Sequence, residues 1–217
     1  MEILRLMGFA VCHQAPARTL TASGETLPLC ARCSGIYLGA LCAVIYLIVR
    51  GRLRASTFPR GWTLASLLLP AALTAADVVL FVFRTADPAG NTRRLFLGSA
   101  LGCSAALLLA PACAGLFAAR RTSVPSVASV AEAALVVVFA VGVPAALTLQ
   151  GGALALLAGA ASAIVRVAAL VLVNLAILTA LSRPGASRRR MTGVAAAFAL
   201  GEIGLAGAAR VLVFSAL

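Results

Sequence analysis

The sequence has few charged residues, no lysine and only one histidine, His13. Charged residues make up 11% of the chain, whereas a soluble globular protein carries about 25%. Hydrophobic residues make up 62%, and a soluble fold of 217 residues could not bury so much apolar surface. The composition therefore excludes a soluble globular protein. Motifs for nucleotide binding, for a serine nucleophile and for an H-E-x-x-H metalloprotease are also absent, so the sequence leaves open whether the protein is an enzyme.

The strongly basic balance does not indicate a nucleic-acid-binding protein. The net charge is +12, and all eighteen basic residues are arginine. Most of these arginines lie in short loops between apolar runs, a placement that is typical of orientation signals in a membrane. A surface for nucleic-acid phosphates would need a soluble face. We therefore expect the lipid bilayer as the partner of this protein, and no nucleic acid.

Long apolar runs settle the class of protein, because several exceed the roughly 20 residues that a helix needs to cross a bilayer. The sequence predicts an all-α, polytopic transmembrane helical bundle of about six spans in the cell (plasma) membrane. The predicted spans are about 29–49, 62–83, 95–119, 127–149, 153–181 and 192–217.

Two regions follow from these spans. Residues 29–217 are predicted to form the bundle, and residues 1–28 a polar Cys/His N-terminal segment with a short interfacial helix at Ile3–Val11. No cleavable signal peptide is indicated, because no small-residue cleavage site follows that apolar run. Pro28 suits the first turn of the first span, where its missing N–H has no intrahelical partner to lose.

Arginine placement also predicts the orientation of the bundle. Six spans put the loops 50–60, 120–121 and 183–190 on one side, and these loops contain ten arginines. The positive-inside rule places that side in the cytoplasm. The polar N-terminal segment then lies at the extracytoplasmic face.

The N-terminal segment carries the residues most suited to chemistry, Cys12, His13, Cys30 and Cys33. Cys30 and Cys33 are three residues apart at a helix start, so they share one face. Together with Cys12 and His13 they could complete a tetrahedral site for zinc or another soft metal. Adjacent Cys12 and His13 tend to point apart, so one of the two can lie outside the first coordination shell.

The same cysteines allow other interpretations, which the spacing leaves open. In an oxidising compartment, a disulfide could join Cys30 to Cys33 or to Cys12. A C-x-x-C pair at a helix N-terminus also favours a thiolate, as in a membrane thiol–disulfide oxidoreductase. Ordinary packing at a helix end is a further reading of the cluster. The other three cysteines lie inside spans and are expected to be packing residues: Cys42, Cys103 and Cys113.

Two segments of the chain, CHQAPARTL from Cys12 and PLCARCSGIYLG from Pro28, resemble a known signature. It is that of a prokaryotic family of multi-pass membrane proteins catalogued as domain of unknown function 2085. The family pattern is CHQ-x-P-x-R-[ST] followed by CARC-x-G-x-Y-x-G, then an Asp in the next span, N-x-x-R and G-x-x-x-G. Thr19 stands where Ser is usual, and Leu97 where Thr is usual.

The resemblance covers about the first half of the chain and implies a membrane protein, with no activity to carry over. It adds polar residues to the candidate site: Arg18, Arg32, Tyr37, Asp77, Asn91 and Arg94. The bland alternatives are that Asn91 is the N-cap of the third span and that Arg32 is an interface anchor. Paired G-x-x-x-G motifs at Gly35/Gly39 and Gly98/Gly102 predict close packing of the first span on the third.

Charged residues inside spans need partners. For Asp77 the candidates are Arg32, Arg84, Arg93 and Arg94. In the second half, Arg166 and Glu202 lie near mid-span and could pair. The remaining intramembrane polar residues there have no assigned role: Glu132, Asn174 and Arg210.

The sequence thus predicts a membrane protein with a metal-binding Cys/His site at its extracytoplasmic face. One alternative is the thiol–disulfide oxidoreductase that uses Cys30 and Cys33. Another is a transporter of a small solute or ion that uses Asp77 and the pair Arg166/Glu202; the substrate is unknown in each case. The polar residues of the first half are expected to converge on one pocket: Cys12, His13, Arg18, Cys30, Cys33, Asp77, Asn91 and Arg94.

Overall fold

The computed structural model describes residues 12, 14–22, 24–81, 88–118, 120–149, 151–181 and 188–215. Six α-helices lie in these ranges: α1 (Ala31–Val49), α2 (Gly61–Phe81), α3 (Pro88–Phe117), α4 (Val130–Leu149), α5 (Gly152–Leu181) and α6 (Arg188–Ser215). Five of them, α1 to α5, are long and apolar enough to cross a membrane. The all-α transmembrane class predicted from the sequence is therefore confirmed.

The last helix differs from the other five. Its described apolar stretch, Met191–Ala206, is shorter than the roughly 20 residues of a membrane span. The sixth span therefore stays a prediction. The interfacial helix expected at Ile3–Val11 lies outside the described residues.

Two small β-sheets were not predicted from the sequence. The first is an antiparallel hairpin of β1 (Thr19–Ala22) and β2 (Glu25–Cys30), and it follows a 3-10 helix at Pro16–Arg18. Gly24 has a φ of 79°, a value that glycine adopts without strain in a tight turn. The second sheet pairs β3 (Ala55–Thr57) with β4 (Thr122–Pro125) in parallel at the opposite end of the bundle.

Pro28 lies in β2 and not in the first turn of α1, which begins three residues later. Proline has no N–H to donate to a ladder, and it is tolerated here because a two-stranded ribbon consists of edge strands. The strand therefore runs into the helix without a loop, and Cys30 is at once its last residue and the N-cap of α1.

Glycines bring α1 and α3 into backbone contact, as the sequence predicts. A methyl group placed on any of four glycines would overlap a backbone carbonyl oxygen of the facing helix: Gly35, Gly39, Gly98 and Gly102. Accordingly, α1 packs more extensively against α3 than against any other element. In lipid, such close approach maximises van der Waals contact between helices. Cys42 and Cys103 are buried in the core beside this seam, as expected of packing residues.

The two longest helices also hold the N-terminal segment. Helices α3 and α5 have 30 residues each, or about 45 Å at 1.5 Å per residue, against a hydrocarbon core of about 30 Å. At the start of α3, Asn91 Nδ2 donates a hydrogen bond to the carbonyl oxygen of Ala17 at 3.2 Å. Near the start of α5, Gly159 lies against the side chains of Leu27 and Pro28. The extra turns thus form the walls against which the hairpin packs.

Candidate metal centre

Three cysteine side chains meet at the start of α1. The sulfur atoms of Cys12, Cys30 and Cys33, which we call the thiol cluster, all lie within 4.8 Å of one another. Cys12 is 4% exposed, and the other two are half-buried. All three are free thiols in this structure, so neither of the disulfides considered from the sequence is formed.

Local structure explains how residues 18 positions apart come together. Cys30 is paired with Thr19 at the end of the hairpin, and its backbone N–H donates a hydrogen bond to Cys12 Sγ at 3.3 Å. Gln14 has a φ of 49°, and its Nε2 donates to the carbonyl oxygen of Pro28 at 2.7 Å. The chain that leaves Cys12 is therefore turned and tied to the strand that leads to Cys30.

The thiols of the cluster differ in pKa. Hydrogen bonds from the thiols of Cys30 and Cys33 lower the pKa of Cys12 well below its ordinary value. The pKa of Cys30 is raised, first because its proton is held by the hydrogen bond to Cys12. The cluster can therefore carry one negative charge on Cys12 without a metal. A bound metal ion would displace the remaining protons, since thiolate is the ligating form of cysteine.

The donor set and its spacing fit a tetrahedral metal site. With sulfur–zinc bonds of about 2.3 Å, tetrahedral geometry places the sulfurs about 3.8 Å apart, so separations within 4.8 Å need only small movements. Three thiolates are soft ligands, which favour zinc and copper(I) over calcium or magnesium. The fourth candidate ligand, His13, lies outside the described residues.

A second cluster lies beside the first. Asp77, on α2, is 5% exposed, and each of its carboxylate oxygens is bound by an arginine from another helix. Arg32 Nη2 of α1 binds Oδ2, and Arg93 Nε of α3 lies 2.6 Å from Oδ1. We call these three residues the arginine–aspartate cluster. It ties the first three membrane helices together at the level of the thiol cluster. The further candidate partner Arg84 lies outside the described residues.

Asn91 is not the N-cap of the third helix, because α3 begins three residues earlier at Pro88. Its side chain instead connects two segments. It donates to Ala17 of the 3-10 helix and accepts a hydrogen bond at 3.0 Å from Nη1 of Arg94, which is 5% exposed. Arg18 is the last residue of that 3-10 helix and is half-buried. These contacts hold the N-terminal segment on α3.

The described site residues lie in two adjacent clusters, and their convergence on a single pocket stays a prediction. Arg32 and Cys33 follow each other on α1, so their side chains point about 100° apart around the helix. Arg32 reaches Asp77 on α2, while Cys33 reaches Cys12 in the N-terminal segment. Adjacent residues on one helix therefore serve different clusters.

The sequence predicts that Arg166 of α5 pairs with Glu202, but Arg166 lies beside the thiol cluster. The predicted pair with Glu202 is not formed: Glu202 is exposed and accepts a hydrogen bond from Asn174 Nδ2 at 3.3 Å. Arg166 is fully buried and interacts electrostatically with Tyr37, Cys12 and Cys33. Its presence inside a span was the available signal, but its neighbours depended on how α5 packs.

Glu132 belongs to the opposite end of the bundle. Its carboxylate binds Arg52 at 2.9 Å and Arg50 at 3.3 Å, and it accepts a hydrogen bond from the N–H of Ala128 at 2.8 Å. The Ser129 hydroxyl accepts one from the N–H of Glu132 at 3.2 Å. These two hydrogen bonds cap the N-terminus of α4, and the Ser-x-x-Glu spacing could have indicated the cap from the sequence. The side chain of Arg210 is not described.

Comparison with known proteins agrees with the membrane architecture. Residues 12–108 match a family model described as "Predicted membrane protein (DUF2085)". An uncharacterized protein of Methanothermobacter thermautotrophicus is 39% identical over 59 residues, which are 27% of this chain and 46% of that protein. An uncharacterized protein of Methanocaldococcus jannaschii is 36% identical over 63 residues, 29% of this chain and 40% of that protein. The chain thus spans less than half the length of these curated relatives.

No solved structure matches the chain. The matched segment contains the thiol cluster, the arginine–aspartate cluster and the four glycines between α1 and α3, whereas Arg166 lies beyond it. Residues 12–108, which build both clusters on the first three membrane helices, thus match the model of the DUF2085 family of predicted membrane proteins.

Proposed function

We propose that this chain is a multi-pass protein of the plasma membrane that binds zinc, or another soft metal ion, at the extracytoplasmic end of its helical bundle. The thiol cluster supplies three of the ligands. The observation that carries the proposal is that three free thiols from two separate segments lie within 4.8 Å of one another.

The surroundings of the cluster support a metal site. Cys12 is almost completely buried, and a buried thiolate is stabilised when it coordinates a cation. Hydrogen bonds at Gln14 and Cys30 fix the backbone on both sides of the cluster. Such supporting contacts orient metal ligands. His13, next to Cys12 in the sequence, is our candidate for the fourth ligand.

The proposed side of the membrane follows from charge. The thiol cluster lies at the ends of the helices opposite to Arg50 and Arg52, which bind Glu132. Loops on that opposite side contain most of the arginines outside the spans. The positive-inside rule then assigns the thiol cluster to the extracytoplasmic face.

One observation favours a second candidate, a membrane thiol–disulfide oxidoreductase. The lowered pKa of Cys12 makes Cys12 the thiolate, which is the nucleophile of disulfide exchange, whereas the pKa of Cys30 in the predicted C-x-x-C pair is raised. The transporter hypothesis has less support, since Asp77 is engaged by two arginines and Arg166 does not pair with Glu202.

The metal content of the purified protein tests the proposal. We would purify the wild type under reducing conditions, together with Cys30→Ser/Cys33→Ser and the control Cys113→Ser. Cys113 is a half-buried cysteine of α3 outside the cluster. Elemental analysis should find about one metal ion per chain in the wild type and the control, and a near-complete loss in the double variant.

Size-exclusion chromatography in detergent would check that the three proteins are equally folded. Reduced wild-type protein without stoichiometric metal, combined with a Cys30–Cys33 disulfide trapped in cells, would replace the metal proposal with the oxidoreductase. Equal metal content in the wild type and the double variant would show that the metal lies elsewhere.

A further inference from the structure

Arg166 is a buried cation whose hydrogen-bond donors are unused within the described part of the chain. It is 0% exposed and is the largest fully buried side chain described. Its Nε, Nη1 and Nη2 atoms have no hydrogen-bond partner among the described residues. Burial of an arginine is very unfavourable unless its charge is paired and its donors are satisfied. A ligand that meets both needs is therefore expected next to it.

The thiol cluster meets only one of these needs. The sulfurs of Cys12 and Cys33 lie close enough to interact electrostatically with Arg166, so the cluster can offset part of its charge. None of the cluster's sulfurs accepts a hydrogen bond from the guanidinium, however. Five N–H donors, fixed in one plane, still need acceptor atoms. No residue in the described part of the chain supplies those acceptors.

Tyr37 offers a further donor at the same place. It lies on α1 one turn after Cys33, is half-buried and interacts electrostatically with Arg166. Its hydroxyl can donate one hydrogen bond. A buried guanidinium and a phenol hydroxyl are thus both near the thiol cluster.

We propose that Arg166 and Tyr37 bind a compact oxyanion, a carboxylate, phosphate or sulfate group, beside the thiol cluster. The planar fork of the guanidinium matches two oxygen atoms of such a group. The full burial of Arg166 limits the ligand to a small group. The anion site does not require a metal in the thiol cluster, so this proposal and the metal proposal can fail separately.

Thermal unfolding of the full chain in detergent tests the site with inorganic phosphate and sulfate as probes, against chloride at equal ionic strength. Either oxyanion should raise the melting temperature of the wild type by several degrees in a saturable manner. Arg166→Gln should abolish this rise, and Tyr37→Phe should weaken the apparent affinity several-fold. Arg60→Gln, which removes an exposed arginine at the opposite end, should leave the rise unchanged.

The source of the anion can be identified on the same preparations. Protein purified without added phosphate or sulfate would be denatured, and the extract analysed for inorganic oxyanions and for phospholipids. A free anion identifies a small-molecule site, and a stoichiometric phospholipid identifies a headgroup site. In either case the ligand should be lost from Arg166→Gln and retained in Arg60→Gln.

Two results would overturn the proposal. One is an equal rise in melting temperature in the wild type and Arg166→Gln. The other is a combined result: the wild type shows neither an oxyanion response nor a co-purified anion, and Arg166→Gln loses its metal. Arg166 would then be only the counter-ion of the thiolates. If Arg166→Gln does not fold, an unchanged response of Tyr37→Phe together with an absence of co-purified anion decides against the site. Metal content measured on the same samples reports on the metal proposal alone.

Discussion

Two regions of the molecule, the α1–α3 interface and helix α6, both contain glycines and charged side chains. They use these residues differently. In the α1–α3 interface, four glycines touch the backbone of the facing helix, so that no side chain fits there. In α6, Gly193, Gly201 and Gly204 face open space. The difference shows that a glycine in an apolar helix is a packing residue only where a second backbone lies against it.

One acidic side chain at each region, Asp77 and Glu202, shows the same difference in packing. Asp77 is buried where α1, α2 and α3 meet and is bound by two arginines. Glu202 is exposed on α6 and accepts one hydrogen bond, from Asn174. The family match ends at residue 108, so the tightly packed region lies largely within the part of the chain that matches the family model. We therefore expect the first three helices to carry most of the stability.

Asp77→Ala should have the largest effect. It leaves Arg32 and Arg93 without their shared carboxylate, and their side chains are only 25% and 36% exposed. Removal of one partner from a buried ion pair costs about 3–5 kcal/mol, and we expect a loss near the lower end because both arginines retain some solvent access. Reversible unfolding in mixed micelles with increasing SDS would measure it. A loss below about 1 kcal/mol would show that the cluster does not hold the three helices together.

Gly102→Ala should have an intermediate effect. The added methyl group would meet the carbonyl oxygen of Ile36, and overpacking of this kind costs about 1–3 kcal/mol. Gly201→Ala is the matched control on α6, where the methyl group meets nothing. Since alanine is the better helix former by about 1 kcal/mol, this control should be neutral or slightly stabilising. The same unfolding assay compares the two. Equal losses in both variants would remove the distinction drawn between the two regions.

Glu202→Ala should have the smallest effect. It removes one hydrogen bond between α5 and α6, and hydrogen bonds between membrane helices contribute about 0.6 kcal/mol on average. We expect a change below about 1 kcal/mol in the free energy of unfolding. A loss as large as that of Asp77→Ala would mean that α6 is held as firmly as the first three helices.

Some features of the site could be predicted from local spacing. Cys30 and Cys33 share a helix face because three residues make nearly one turn, and the glycine pairs lie four residues apart for the same reason. The need of Asp77 for a cationic partner follows from the cost of a charge in lipid. The hairpin that returns the chain from Cys12 to Cys30 was missed, because its strands are short and carry no clear alternation of polar and apolar residues.

Composition and the length of the apolar runs determined by themselves that this protein is an all-α membrane bundle, because a helix is the simplest structure that satisfies every backbone hydrogen bond in lipid. Cysteine spacing likewise marked the metal-binding candidates. Only the tertiary structure decided which arginines reach Asp77, that Arg32 and Cys33 serve different clusters, and that Arg166 faces the thiols and not Glu202. Those partners lie on helices far apart in the sequence, and the rotation of each helix about its axis depends on packing contacts that no local pattern encodes.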